Sequence, residues 1–264
     1  MGRGPLLPPP DIAGPKILLA LIWAAGLTVG VVAGPVVLAL LLAPVAAVAA
    51  AQVARSWKGH RGRAPVPQAA MATAAVMVAG SAFGIFSLVA TAVVAAIGGA
   101  AWASMLITRR APKGATSGAG IPAATADIML TLVCAIVPTV AAVGPVLLRG
   151  DGLVASLVLV TSVGVYDAAA WIVGSGTRHH WTGPLSGMAC IASVTVLVGA
   201  VFPQFRGDSA WQLGALAIIL TPLGAPIATL VLGSRRAKVP ALRRLDSLVV
   251  VGPLWTLAAF RLLG

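Results

Sequence analysis

The sequence contains no glutamate, so its six carboxylate side chains are all aspartates. Only 9% of its 264 residues are charged, whereas 59% are hydrophobic and the mean hydropathy is +1.01. Soluble globular domains contain far more charge and far less apolar sequence. No interval between the apolar runs is long enough for a soluble domain. The composition therefore indicates an integral membrane protein.

Cysteine is also scarce, and both copies lie inside apolar stretches. Cys134 and Cys190 are therefore expected to be small buried hydrophobic residues, and neither a disulfide nor a metal site is predicted. The sequence GPLLPPP follows Arg3 where a signal peptide would have an apolar core and a cleavage site. We expect no cleaved signal peptide, and residues 1–16 are predicted to form a short Pro-rich cytoplasmic lead.

The apolar runs predict about nine transmembrane helices. A helix needs about 20 residues to cross roughly 30 Å of hydrocarbon, and one helix over residues 17–54 would be about 57 Å long. The break at Gly34-Pro35 divides that run, and a second division is expected near Ser87. The predicted spans are 17–33, 35–54, 69–87, 88–107, 123–148, 152–175, 184–202, 210–233 and 247–263. The predicted fold is an all-α polytopic membrane bundle forming a single domain over residues 1–264.

The distribution of basic residues predicts the orientation of this bundle. With the N-terminus in the cytoplasm, 15 of the 18 Lys and Arg residues fall on the cytoplasmic side, as expected for short loops. These are Arg3, Lys16, Arg55, Lys58, Arg61, Arg63, Arg109, Arg110, Lys113, Arg178, Arg235, Arg236, Lys238, Arg243 and Arg244. The net charge of +12 suits anionic lipid head groups or a polyphosphate ligand. Nucleic acid is not an expected partner, because these charges lie in loops and not in a folded basic domain.

Three aspartates fall on the cytoplasmic half of the predicted spans. Asp127 lies near the start of the fifth span, Asp167 about two turns from the inner end of the sixth, and Asp246 at the start of the ninth. Carboxylates at one membrane depth that face a loop rich in Arg and Lys suit metal-assisted phosphoryl or nucleotidyl transfer. The pattern predicts a polar site facing the cytoplasm between the sixth, eighth and ninth spans.

Each of these positions also has a structural interpretation. Asp246 could cap the ninth helix with Ser247 in its first turn, and Asp127 is expected to be a first-turn or cap residue. An unpaired Asp167 within the membrane would cost about 2.5 to 3.5 kcal/mol, so we expect it to face the bundle interior and an aqueous opening, and to have a function or a polar partner. His179 and His180 form too small a set for a metal site without further ligands; a phosphate-contacting loop and interfacial polar residues remain the alternatives.

Residues 160–264 carry a resemblance to a known family, and its first element is the stretch VYDAAAWIVGSG at 165–176. This stretch is similar to the Asn-Asp-x-x-Ala-Tyr-x-x-Gly motif of the phosphatidate cytidylyltransferases, also called CDP-diacylglycerol synthases. Asp167, Ala170, Trp171 and Gly174 take the positions of the Asp, the Ala, the aromatic residue and the first Gly.

The second element is RRLDSLVVVGPL at 243–254, which resembles the Asp-Arg-x-Asp-Ser end of the same family's signature. Arg244, Asp246, Ser247 and Pro253 fall on the pattern. The resemblance implies a multi-pass enzyme of the bacterial-type inner (plasma) membrane. It implies that CTP and the membrane lipid phosphatidate are joined to give CDP-diacylglycerol and pyrophosphate.

The resemblance also implies residue roles. Asp246 and Asp167 would be catalytic and would hold Mg²⁺ as the cofactor. The residues expected to bind phosphate or nucleotide are Arg244, Arg235, Arg236, Lys238, Arg178 and Ser247. A second copy of the chain is a candidate partner.

The alternative is a catalytically degenerate relative that binds lipid or a partner protein through its basic face. Departures from the family pattern favour it, because Tyr166 and Arg243 replace an Asn and an Asp. In WTGPLSG only Gly187 matches, and the family's Lys and Glu are absent. A transporter is a third, weaker option, because ionisable residues in midspan are scarce.

Overall fold

The structure is a computed structural model, and it describes residues 16–58, 60, 63–110, 121–175, 177, 179, 181–205, 208–234 and 237–263. This part of the chain contains nine α-helices and no β-strand. The helices are α1 Lys16–Ala33, α2 Pro35–Ser56, α3 Pro67–Ser81, α4 Ile85–Arg110, α5 Ile121–Asp151, α6 Leu153–Gly174, α7 Thr182–Val201, α8 Asp208–Leu230 and α9 Leu248–Leu262. Short 3₁₀ turns at Pro203–Phe205 and Leu242–Arg244 precede α8 and α9.

One of the two predicted helix breaks is confirmed, and the other is misplaced. Gly34 has φ 124°, a conformation that favours glycine, and Pro35 occupies the first turn of α2. The break expected near Ser87 is wrong, because α3 already ends at Ser81 and the turn is made at Gly84, with φ 96°. The other predicted ends lie within three residues of the observed ones.

Six of these helices are long and apolar enough to cross a membrane. They are the spans Pro35–Ser56, Ile85–Arg109, Ala123–Asp151, Leu153–Gly174, Thr182–Val201 and Asp208–Leu230. The chain is therefore an all-α protein of the helical membrane class. The 15 residues of α3 and of α9 each reach only about 22 Å at 1.5 Å per residue. Nine crossings therefore stay a prediction, as does the N-terminal orientation.

The helices α2 and α5 lie at the centre of the bundle, where α2 packs against α3 and α5, and α5 also packs against α9. Small residues allow the close approach of α5 and α9. A Cβ on Gly144 would lie 2.6 Å from the carbonyl group of Gly252, and the Thr256 hydroxyl donates to the Gly144 carbonyl at 3.0 Å. Such backbone proximity is a common source of helix association in membranes.

Contacts between loops and helix ends define one end of the bundle, here called the basic end. The Trp57 indole, just after α2, donates to the carbonyl of Val231, just after α8, at 2.9 Å. The amide of Ala241 donates to the Gln52 side chain at 3.0 Å. The end of α2 and the α8–α9 segment, residues 231–247, therefore lie together. At the opposite end, Arg149 donates to the last carbonyls of α1.

The first prediction concerns topology. In a variant with Cys134 and Cys190 replaced by alanine, single cysteines at the Lys58 and Lys238 positions should react only with reagents that reach the cytoplasm. The reason is that both residues lie at the basic end, and basic loops stay inside. A cysteine at the Asp151 position, at the other end, is the control and should react from outside intact cells. Labelling of Lys58 or Lys238 positions from outside by an impermeant maleimide would contradict the orientation.

Candidate functional site

Two of the three aspartates that the sequence singled out, Asp167 and Asp246, meet at the basic end. Asp167 lies in α6, about two turns before its end at Gly174. The hydroxyl of Ser247, just before α9, donates to Oδ1 of Asp167. Asp167 is an exposed residue, and the expectation that it faces the bundle interior and an aqueous opening stays a prediction. It has a polar partner and lies beside the segment that leads into α9.

Ser247 also contacts the second carboxylate. Its backbone N–H donates to Oδ1 of Asp246 at 2.9 Å, while Oδ2 lies 3.4 Å from Nη1 of Arg243. The Asp246 side chain is only 13% exposed. Burial raises the pKa of Asp246 to about 6, against the opposing effects of Arg243 and of hydrogen bonds from Ser247. At neutral pH this carboxylate is therefore mainly charged and paired with Arg243.

The geometry of Asp246 differs from that of a helix cap. A capping carboxylate accepts a hydrogen bond from the second or third residue of the helix. The helix α9 begins at Leu248, and Asp246 accepts instead from Ser247, which precedes the helix. Ser247 itself makes no side-chain cap bond. Asp246 therefore makes no side-chain cap bond to α9, and its interpretation as a charge that favours the macrodipole at the start of this helix stays a prediction.

Arg243 links Asp246 to the last turns of α8. Its guanidinium donates to the Thr229 hydroxyl at 3.0 Å and to the Ala225 carbonyl at 3.5 Å, in addition to Asp246. From its sequence position, Arg243 was expected only to be a cytoplasmic charge and a departure from the family pattern. The spacing of three residues could have indicated the pair of Arg243 with Asp246. The contact with Thr229 had no such signal, because Thr229 lies 14 residues earlier in the chain.

A glycine in α8 determines how closely this helix approaches the site. A Cβ on Gly224 would lie 1.9 Å from the carbonyl oxygen of Asp246 and 3.1 Å from the Cα of Ser247. Only a residue without a side chain allows this contact. Gly224 therefore allows α8 to pack directly against the backbone of Asp246 and Ser247.

The remaining predicted site residues are distributed unevenly. Arg244 is half-buried and close enough to Asp167 for a favourable electrostatic interaction. The carboxylates of Asp167 and Asp246 repel each other. Lys238 is exposed on the α8–α9 segment. Three of the predicted phosphate-binding residues, and one histidine of the predicted loop, lie outside the described residues. They are Arg178, Arg235, Arg236 and His180.

One further prediction, for Asp127, is settled away from this cluster. Asp127 lies almost two turns into α5, so the first-turn or cap interpretation is wrong, because the helix begins earlier than expected, at Ile121. Its carboxylate lies 3.9 Å from Arg63, which is an ion pair longer than a hydrogen bond. The carbonyl of His179 accepts a hydrogen bond from the Thr182 hydroxyl at 2.7 Å, a local turn at the start of α7.

No protein-family model, curated protein or solved structure matches this chain. The resemblance to the cytidylyltransferases therefore rests on the two quoted segments alone. Fold and composition define the class, a helical membrane protein, and the cluster of Asp167, Asp246, Ser247, Arg243 and Arg244 defines the candidate site.

The second prediction concerns Gly224. Gly224→Ala should lower the free energy of unfolding by about 1 to 3 kcal/mol, as expected for overpacking, because the added methyl group displaces residues 246 and 247. Denaturant titration in mixed micelles measures the loss. The matched control is Gly164→Ala in α6, where a Cβ meets nothing within 4 Å, and the change should stay below about 0.5 kcal/mol. Equal stability of the two variants would show that α8 can move away from the site at no cost.

Proposed function

We propose that the chain is a membrane-embedded cytidylyltransferase-like protein of phospholipid biosynthesis, which joins CTP and phosphatidate to give CDP-diacylglycerol and pyrophosphate. The supporting observation is that Asp167 and Asp246, far apart in sequence, are joined through Ser247. These are the carboxylates that the two resembling segments contribute. A basic segment adjoins them, which is the arrangement that phosphoryl-group chemistry needs.

The resemblance implies Mg²⁺, and the residues present fit a limited role for it. The described residues include no group of three or more His, Cys, Asp or Glu that could hold a metal ion. Mg²⁺ commonly uses one or two carboxylates and takes its other ligands from water and substrate phosphates. Asp167 and Asp246 would hold it in this way. When bound, it would neutralise charge on the phosphates of CTP.

The protein's own residues would bind and orient the substrates. Arg244, with Lys238 on the same segment, would take phosphate oxygens of the nucleotide. Ser247 would hold both carboxylates in place through its hydroxyl and its amide. A phosphate oxygen of the lipid would attack the α-phosphorus of CTP, and the bond from that phosphorus to pyrophosphate would break. The lipid would enter laterally from the membrane.

The second candidate is a non-catalytic protein that binds anionic lipid or a partner at the same face. The observation that favours it is the internal pairing of the site. Both oxygens of Asp246 already have donors, from Ser247 and Arg243, and Asp167 accepts from Ser247. A self-paired cluster of this kind needs no cation to be stable.

The third prediction tests activity. Purified protein in mixed micelles with labelled CTP, phosphatidate and Mg²⁺ should form CDP-lipid. Asp167→Asn and Asp246→Asn should each lower the rate by at least about 100-fold, because an amide cannot neutralise a cation. Asp151→Asn, at the opposite end, is the matched control and should leave the rate unchanged. Absence of product with the wild-type protein would support the non-catalytic candidate.

The fourth prediction separates binding from turnover. Calorimetry should detect CTP binding that requires Mg²⁺ in the wild-type protein and not in Asp246→Asn, with both proteins measured under conditions in which circular dichroism shows each to be folded. No binding to the wild type would remove the enzyme proposal. Unchanged binding in the variant would show that Asp246 does not bind the cation and serves only as a structural partner of Arg243.

A further inference from the structure

A cavity of about 560 Å³, largely open to the surface, lies at the basic end, between the end of α2 and the first half of α5. Its lining residues are Trp57, Arg63, Ala126, Met129, Leu130 and Val133. The four residues from α5 recur at spacings of three and four, so they form one face of that helix. The cavity thus has an apolar helical wall, and Trp57 and Arg63 lie near its polar end.

The apolar wall continues onto the surface of the bundle. Met129 is 58% exposed and Val133 is 47% exposed, and both belong to the candidate span Ala123–Asp151. A hydrocarbon chain in the membrane could therefore lie against this wall without crossing water. The volume falls in the ordinary range for ligand sites in proteins, which is about 300 to 1,000 Å³.

Arg63 lies at the polar end of the cavity, and its ion pair with Asp127 does not include a hydrogen bond. Arg63 is 39% exposed, and its distance of 3.9 Å from Asp127 is too long for a hydrogen bond. Oδ1 of Asp127 is buried and accepts no hydrogen bond from the residues that the structure describes. In the part of the chain that the structure describes, no residue accepts a hydrogen bond from this guanidinium, and its planar set of N–H donors suits the oxygens of a phosphate.

The charges near this end favour an anion. Arg55 and Lys58, both exposed, flank Trp57 in the sequence, so three cations accompany the single carboxylate of Asp127. We infer that the cavity binds an anionic glycerophospholipid, with its phosphate at Arg63 and one acyl chain along the α5 wall. A soluble phosphate would use Arg63 and leave the apolar wall uncovered. The inference does not rest on the proposed function, because it uses no residue of the carboxylate cluster.

Trp57 provides a direct probe of this site. The protein is reconstituted in phosphatidylcholine vesicles, without CTP or Mg²⁺, that contain an increasing share of a lipid with a dibrominated acyl chain. The difference in fluorescence between wild type and Trp57→Phe isolates the Trp57 signal. Dibrominated phosphatidylglycerol should quench it at about a fivefold lower share than dibrominated phosphatidylcholine, the effect expected of one basic side chain. Equal quenching by the two lipids would refute the inference.

Paired variants test the two halves of the site. Arg63→Gln should remove the preference for phosphatidylglycerol, whereas Arg55→Gln, a neighbouring exposed cation outside the lining, should keep most of it. Ala126→Leu should reduce quenching by filling the cavity, whereas Ala101→Leu, at an exposed position of α4 outside the lining, should not. A preference that persists in Arg63→Gln, or quenching unchanged in Ala126→Leu, would contradict the inference.

A second measurement does not depend on the Trp57 variant, which removes the hydrogen bond to Val231. Phosphatidylglycerol with a photoactivatable acyl chain is crosslinked to the wild-type protein, and the labelled peptides are mapped. Labelling should concentrate on residues 126–133 and fall in Ala126→Leu. Labelling of this stretch that is no greater than that of α4, whose apolar surface is also largely exposed, would overturn the inference.

Discussion

Hydrocarbon offers no hydrogen-bond partners to the backbone, and this constraint shapes the protein throughout. Each span must satisfy its own amides and carbonyls, which only a helix achieves here. Buried hydroxyls follow the same rule, since Thr139, Thr195 and Thr221 each donate to the carbonyl four residues earlier in their own helix. Contacts between charged side chains and other elements are left for the helix ends. The candidate site lies at such an end because the bundle can assemble charges there at the lowest cost.

The helical bundle could be predicted because hydropathy and length constrain it strongly. Gly34-Pro35 could also be placed, because proline in a first turn after a glycine is a local signal. The next break was misplaced by several residues because AGSAFGIFSL contains two glycines, and apolarity does not distinguish them. Gly80 packs inside α3 against Thr91, whereas Gly84 adopts the positive φ of the turn. That difference depends on the neighbouring helix and is not visible in the local sequence.

The meeting of Asp167 and Asp246 was expected from their equal predicted depth, since alternating helices bring the C-terminal end of α6 and the N-terminal end of α9 to the same side. The partners of Asp246 were not predicted. Arg243 reaches Thr229 and Ala225 only because Gly224 lets α8 approach the chain before α9. The local sequence does not distinguish Gly224 from the other glycines that pack between helices. Side-chain pairing of this kind therefore follows from tertiary contact and not from spacing.

The internal pairing of the cluster also constrains how the proposed substrates could bind. Asp246 is largely buried and paired with Arg243, so a phosphate that took Arg243 alone would leave a buried carboxylate without its partner, which is costly. A cation that bound Asp246 alone would lie beside the positive charge of Arg243, and the two charges would repel each other. If a cation and a phosphate arrive together, each takes one member of the pair and the local charge stays balanced. Binding of the two should therefore be mutually dependent, since coupling between two ligands is reciprocal. A protein that only binds anionic lipid through its exposed cations has no reason to show this dependence.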